Sequence, residues 1–182
     1  MSAFNIKSTV IAGRDATPKV LQEGILARGL LREGYGAQCV SSAGTDLNQA
    51  GTQIRLVTVP SHARISTLEY AGTTCGTSVL DVAAWYPTDI PKGGGNFLGA
   101  SSAGALISSS KFLANINIPD TNQAFVTAFP AITTLTLGVQ EQPLWQLLGL
   151  ATDPEVPIDM GFTVRTACSI NGYVGLRARY TE

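Results

Sequence analysis

From Gln53 onward the sequence runs in short stretches whose apolar residues recur at every second position. QIRLVTV (Gln53–Val59) sets Ile54, Leu56 and Thr58 against Arg55, Val57 and Val59, which predicts a strand with one wetter face. After the turn at Pro60-Ser61, ARISTLEY (Ala63–Tyr70) and VLDVAAWY (Val79–Tyr86) predict two more strands. Three strands so close together read as an antiparallel meander. SKFLANINI (Ser110–Ile118) and TTLTLGV (Thr133–Val139) are further short strands, joined by a connection carrying Pro and Asn. At the far end IDMGFTVRTACSI (Ile158–Ile170) alternates Met160, Phe162, Val164, Thr166 and Cys168, and YVGLRARY (Tyr173–Tyr180) alternates Val174, Leu176 and Ala178. The Asn171-Gly172 pair between them is a strong hairpin signal. The sum is a mainly β chain, an antiparallel β-sandwich or jelly-roll-like domain over residues 51–182.

One stretch breaks the period of two. In EQPLWQLLGL (Glu141–Leu150), Leu144, Leu147 and Leu148 fall at helical spacing, Pro143 suits a first helical position and Gly149 closes the turn. So short a helix near residues 143–149 is unstable alone, so burial of Leu144, Trp145, Leu147 and Leu148 must hold it. These four residues are expected to plug an open end of the β domain.

Residues 1–50 read differently. Arg14, Lys19, Arg28 and Arg32 mix with Asp15, Glu23 and Glu33, while Gly24, Gly29, Gly34 and Gly36 interrupt any long helix. This suggests an extended N-terminal arm with at most a turn of helix, either a frayed terminus or a segment ordered against a partner subunit through those four basic residues. Pro87–Leu106 carries Gly93-Gly94-Gly95 and reads as a long loop. Its glycines do not make a phosphate loop, because Lys92 precedes them and no helix follows.

Composition narrows the function. The 182 residues are 45% hydrophobic and 14% charged, with a formal net charge of −1, which argues against a nucleic-acid-tracking surface. No apolar run reaches the roughly 18 residues of a membrane helix, and the N-terminus lacks a secretory pattern. His62 is the only histidine, in the turn PSHAR, so a Ser-His-Asp site would have to use it. Cys39, Cys75 and Cys168 are far apart and read as small buried residues rather than zinc ligands. Asp153, Glu155 and Asp159 cluster in TDPEVPID, where prolines stiffen the chain and solvated charges are the ordinary reading. Arg177 and Arg179, flanked by Tyr173 and Tyr180, suit either contact with carbohydrate or nucleic acid, or a solvated or inter-subunit face. No residues are assigned to catalysis, metal or cofactor, and the chain reads as a non-enzyme.

Three blocks go beyond composition: RDATPKVL…ARGLLREGYG, RLVTVPSHARISTLEYAGTTCGTSVLDVAAWYP and QEQPLWQLLGLATDPEVPIDMGFTVRTACSINGYVGLRARY. In this order they resemble a group of small structural proteins of tailed bacteriophages. The resemblance rests on Pro60, Ser61, Ala63, Arg64 and Ile65; on Asp81, Val82 and, shifted by one, Trp85 and Tyr86; and on Pro143, Leu144, Trp145, Leu148, Gly149 and Leu150. The Gly93–Gly95 region departs from that pattern. The resemblance implies a virion component, foremost a capsid decoration (cement) protein bound to the outer surface of the major capsid protein shell. Self-association, a trimer favoured, goes with it; nucleic acid and membrane do not. The alternatives are a minor neck, tail or head-fibre component, or a carbohydrate- or receptor-binding module.

Overall fold

A computed structural model describes residues 5–7, 31–40, 50–73, 78–88, 104–108, 112, 114, 116–117, 123–129, 142–166 and 172–182. Its strands are β1 (Asn5–Lys7), β2 (Arg32–Val40), β3 (Gln53–Val59), β4 (Arg64–Thr73) and β5 (Val79–Trp85). They continue with β6 (Leu106–Ser108), β7 (Ile116–Asn117), β8 (Gln123–Phe129), β9 (Ile158–Thr166) and β10 (Gly172–Thr181); one helix, α1 (Leu144–Leu147), precedes β9.

The strands form two sheets. Sheet A has the order β1-β3-β9-β5-β6, with β7 also paired to β5; sheet B has the order β2-β10-β4-β8. All pairings are antiparallel except β1 with β3. The mainly β, sandwich-like fold is as the alternation predicts, but the pairing is not. β3, β4 and β5 form no meander: β4 lies in sheet B, and β9 separates β3 from β5 in sheet A. Nor do β9 and β10 form a hairpin, because each is central to a different sheet. Alternation specifies which face of a strand is buried, and it is silent on which neighbour takes the edge hydrogen bonds.

β2 lies before residue 50 and pairs with β10 from Val40↔Gly172 to Arg32↔Tyr180. Gly36 shows why this segment looked unlike a strand. A Cβ there would lie inside van der Waals contact of the Leu56 carbonyl of β3, so the strand crosses sheet A at a distance only glycine permits. β8 falls in the stretch expected to be a connection, β6 begins at the last residue of the expected loop, and among the described residues of Ser110–Ile118 the strand is Ile116–Asn117. Thr133–Val139 lies outside the described residues.

The core is built from the inward residues of both sheets. β5 contributes Leu80, Val82 and Ala84; β9 contributes Ile158, Met160, Phe162 and Val164; β10 contributes Val174, Leu176 and Ala178. β3 departs from strict alternation. Its register against β9 jumps between Arg55 and Val57, leaving Leu56 without a partner position. The bulge reverses the phase, so Ile54, Leu56, Val57 and Val59 all enter the core while Arg55 and Thr58 turn to the opposite face. The face read as wetter is therefore not exposed: Arg55 is fully buried.

α1 sits where the chain crosses from β3 to β4. Leu144 N–H donates to the Ala63 carbonyl (2.8 Å) and Trp145 N–H to the Ser61 carbonyl (3.0 Å). Those turn carbonyls satisfy helix-start donors that Pro143, the N-cap residue, leaves without a side-chain bond. Gly149 ends the helix at φ 80°. Leu144, Leu147 and Leu148 are buried in the core, whereas Trp145 is half-buried and outside that cluster.

Candidate interaction faces

With the core between the sheets, each sheet has one outward face, and the candidate chemistry divides between them. On sheet A the outward positions include Arg55 and Thr58 on β3, Asp159 and Arg165 on β9, and Asp81 and Trp85 on β5. Arg55 and Asp159 are both inaccessible to water, with Nη1 and Oδ2 3.3 Å apart. Thr58 Oγ1 donates to the other carboxylate oxygen at 2.9 Å. The guanidinium also donates to the Tyr86 carbonyl (2.9 Å), the Gly104 carbonyl (2.7 Å) and Gln53 Oε1 (3.3 Å), and lies 5.4 Å from the Trp85 ring centroid. Multiple hydrogen bonds and a cation–π contact are what make a buried ion pair tolerable.

These contacts have a geometric result. Tyr86 N–H bonds the Ala105 carbonyl and Gly104 N–H bonds the Pro87 carbonyl, each at 3.0 Å, so the Gly-rich stretch leaves and returns through a closed root. Arg55 holds a carbonyl on each side of that root. Gly104 has φ +70°, and a Cβ there would crowd Thr88 and the Arg55 guanidinium. Farther along the same face, Arg165 pairs with the nearly buried Asp81 while itself reaching solvent.

The outward face of sheet B repeats the ingredients in the open. A register row runs Tyr35–Arg177–Glu69–Thr127 across β2, β10, β4 and β8. Arg177 donates from Nε (2.7 Å) and Nη2 (2.6 Å) to Glu69 Oε2, and its Cζ lies 4.0 Å from the Phe125 ring centroid. Tyr35 meets Phe125 edge-on, with centroids 6.0 Å apart at 71°. Arg179 Nε bonds Glu33 at 2.8 Å, and that hydrogen bond holds the guanidinium pKa above its ordinary value. Tyr35 is 54% exposed, Tyr173 58% and Phe125 37%. Tyr180 does not join them: it alternates with Val174, Leu176 and Ala178 and packs against the core, and burial raises its phenol pKa.

Of the basic residues expected to make arm contacts, Arg14, Lys19 and Arg28 lie outside the described residues. Arg32 begins β2 and pairs with Glu182 at 3.0 Å. Asp159, read as a solvated charge, is buried. Trp85 is fully buried, and His62 is exposed in its turn. Among the described residues no three His, Cys, Asp or Glu side chains gather as a metal site, and no helix is long and apolar enough to cross a membrane. The side chains of the three cysteines are outside the described set. Sequence reasoning singled out Arg177 but missed Tyr35, Phe125 and Arg55. The usable signal for Arg55 was its position between the apolar residues Ile54 and Leu56, although alternation alone assigns it to solvent.

No family model matches the sequence, and no curated protein matches it either. Among solved structures, a chain of the capsid of Ralstonia phage GP4 aligns over 98% of this chain and 97% of that one, with TM-score 0.61 and 16% identity. A chain of the cyanophage Pam1 capsid asymmetric unit aligns over 89% and 91% at 14% identity, but its TM-score of 0.42 is too low to bear on the fold. The fold of this protein is therefore similar, nearly end to end, to that of a phage capsid chain.

Proposed function

We propose that this chain is a non-enzymatic structural component of a tailed-phage virion, and specifically a decoration protein on the outer surface of the major capsid protein shell. The observation that carries the reading is the end-to-end fold likeness to a chain of the Ralstonia phage GP4 capsid. The order of sequence blocks that resembles small phage structural proteins supports it independently. In this reading the protein is made in the host cytoplasm and works at the capsid surface as a homo-oligomer, a trimer favoured. Many copies attached at once multiply weak contacts into firm attachment without new chemistry. The basic residues Arg14, Lys19 and Arg28 belong to an arm that reaches a neighbouring subunit, and the α1 leucines close the end of the sandwich.

The test is copy number in purified particles, by quantitative mass spectrometry against the major shell protein. A ratio near one, or near one third, supports a shell-wide decoration role, by the arithmetic of closed symmetry. A ratio of a few per cent moves the protein to the neck, tail or fibres, and absence from particles overturns the reading. Removing residues 1–30, which spares β2, is expected to weaken attachment while the sandwich still folds.

A further inference from the structure

We infer that the outward face of sheet B is where one copy of this chain meets a second copy. This inference rests on the reading above only in assuming that the protein works in many copies. Three observations support it.

The first is composition. Tyr35, Tyr173, Phe125, Arg177 and Arg179 face outward together, and tyrosine, phenylalanine and arginine are the residues that interfaces concentrate while excluding lysine and unpaired acids. The first two of these are more than half exposed and belong with Phe125 to one outward aromatic group.

The second is charge. The two arginines at the centre of the face each have a carboxylate beside them, Arg177 with Glu69 and Arg179 with Glu33, and exposed Arg64, opposite Thr181 at the end of β4, adds one positive charge. A face with a large surplus of one sign repels its own copy and attracts polyanions or polycations. This one is close to balanced, so a second copy brings little net repulsion, and the alternation of Arg and Glu across β2, β10 and β4 lets a rotated copy set guanidinium against carboxylate. The Arg177 side chain is also already held by Glu69 and Phe125, which reduces the ordering cost of association.

The third is size. Four strands at about 4.8 Å spacing and nine paired residues at about 3.3 Å rise give a plane of roughly 20 by 30 Å. With protruding aromatic side chains its accessible area approaches the roughly 800 Å² per partner of a stable interface. Sheet A offers no such surface around Arg55, because its own chain already covers that charge.

Sedimentation velocity of the full chain across the micromolar range tests this. The wild type is expected to sediment as an oligomer. Tyr35→Ser and, separately, Tyr173→Glu are expected to weaken association by at least about 30-fold, the scale of an interface hot spot, with far-UV circular dichroism and melting temperature retained. Two substitutions on different strands guard against one that merely disturbs folding. A wild type that is monomeric throughout overturns the inference, as does an oligomer that both variants leave intact. If both variants stay oligomeric but fail to attach to particles, the face belongs to the shell contact: the inference falls while the decoration reading stands. If the variants become monomers and the chain is absent from particles, the reverse holds.

Discussion

Arg55 on sheet A and Arg177 on sheet B are made of the same parts. Each is an outward-facing arginine bonded to a carboxylate on the adjacent strand, Asp159 or Glu69, with an aromatic ring, Trp85 or Phe125, against the guanidinium. They differ in what lies above them. The Arg55 cluster is closed off from water and also grips the backbone carbonyls of Tyr86 and Gly104, whereas the Arg177 cluster stands beside exposed Tyr35. Burial converts one set of contacts into architecture, because a charge removed from water must keep every partner it has. The other keeps part of its charge in water, with 23% of the Arg177 and 16% of the Glu69 side chain accessible, so water competes for its bonds and its influence on folding is smaller. Identical chemistry thus serves opposite ends: one arginine completes the molecule and the other is available to something outside it.

The comparison breaks most visibly by removing one charge from the buried cluster. Asp159→Ala leaves Arg55 buried without its counter-ion and is expected to cost about 3–5 kcal/mol in urea unfolding. The paired replacement Arg55→Met with Asp159→Leu is expected to recover part of that loss. Recovery stops short of wild type because the Tyr86 and Gly104 carbonyls lose their donor, at about 1–3 kcal/mol. Full recovery would show that the grip on the loop root contributes nothing.

Between the two faces lies the core, and α1 calibrates it. Leu144→Ala is expected to cost about 2–5 kcal/mol, whereas Trp145→Ala, truncating a half-buried ring, costs about 2 kcal/mol or less. An equal loss for both would mean that the indole carries more of the packing than its position indicates. On the exposed face Arg177→Ala is expected to change unfolding free energy by less than about 1 kcal/mol. A loss matching that of Asp159→Ala would erase the distinction between the faces.

The smallest effect is alkaline. Burial, reinforced by nearby Glu182, raises the Tyr180 phenol above its ordinary value of 10.0, so the neutral ring is the form the fold prefers. Its contribution is complete below that ordinary value and is lost as pH rises through the raised one. Tyr180→Phe should flatten this part of the fall in urea midpoint on either side of pH 10.

Element type was legible where polar and apolar residues alternate without interruption. Gln53–Val59 is a strand over the whole stretch so read, and Val79–Trp85 falls one residue short of it. What failed was anything decided by a distant partner. β2, rich in glycine and charge, becomes a strand because β10 supplies its hydrogen bonds and because Gly36 allows close approach to Leu56. The Asn171-Gly172 signal was overridden because Val174, Leu176 and Ala178 enter the core from sheet B while Phe162 and Val164 enter from sheet A. Arg55 was assigned to water because alternation places it on the outward face, and what covers it there, the Tyr86 and Gly104 carbonyls and Asp159, comes from distant parts of the chain. Both arginine clusters assemble from strands scattered along the chain, so neither leaves a local motif.

The strand orders carry a consequence for biosynthesis. β9 separates β3 from β5, and β10 separates β2 from β4. β9 and β10 are thus translated after the strands they join in both sheets. At about 5–20 residues per second, a chain of 182 residues takes roughly 10–40 s to make. Between the end of β5 at Trp85 and the start of β9 at Ile158, about two fifths of that interval, β3, β5, β2 and β4 exist with the edges meant for β9 and β10 open, and every other nascent copy presents the same edges. Residues 158–181 therefore act as the closing stitch of the molecule, and a cell producing many copies at once must keep unfinished chains apart until that stitch is in place.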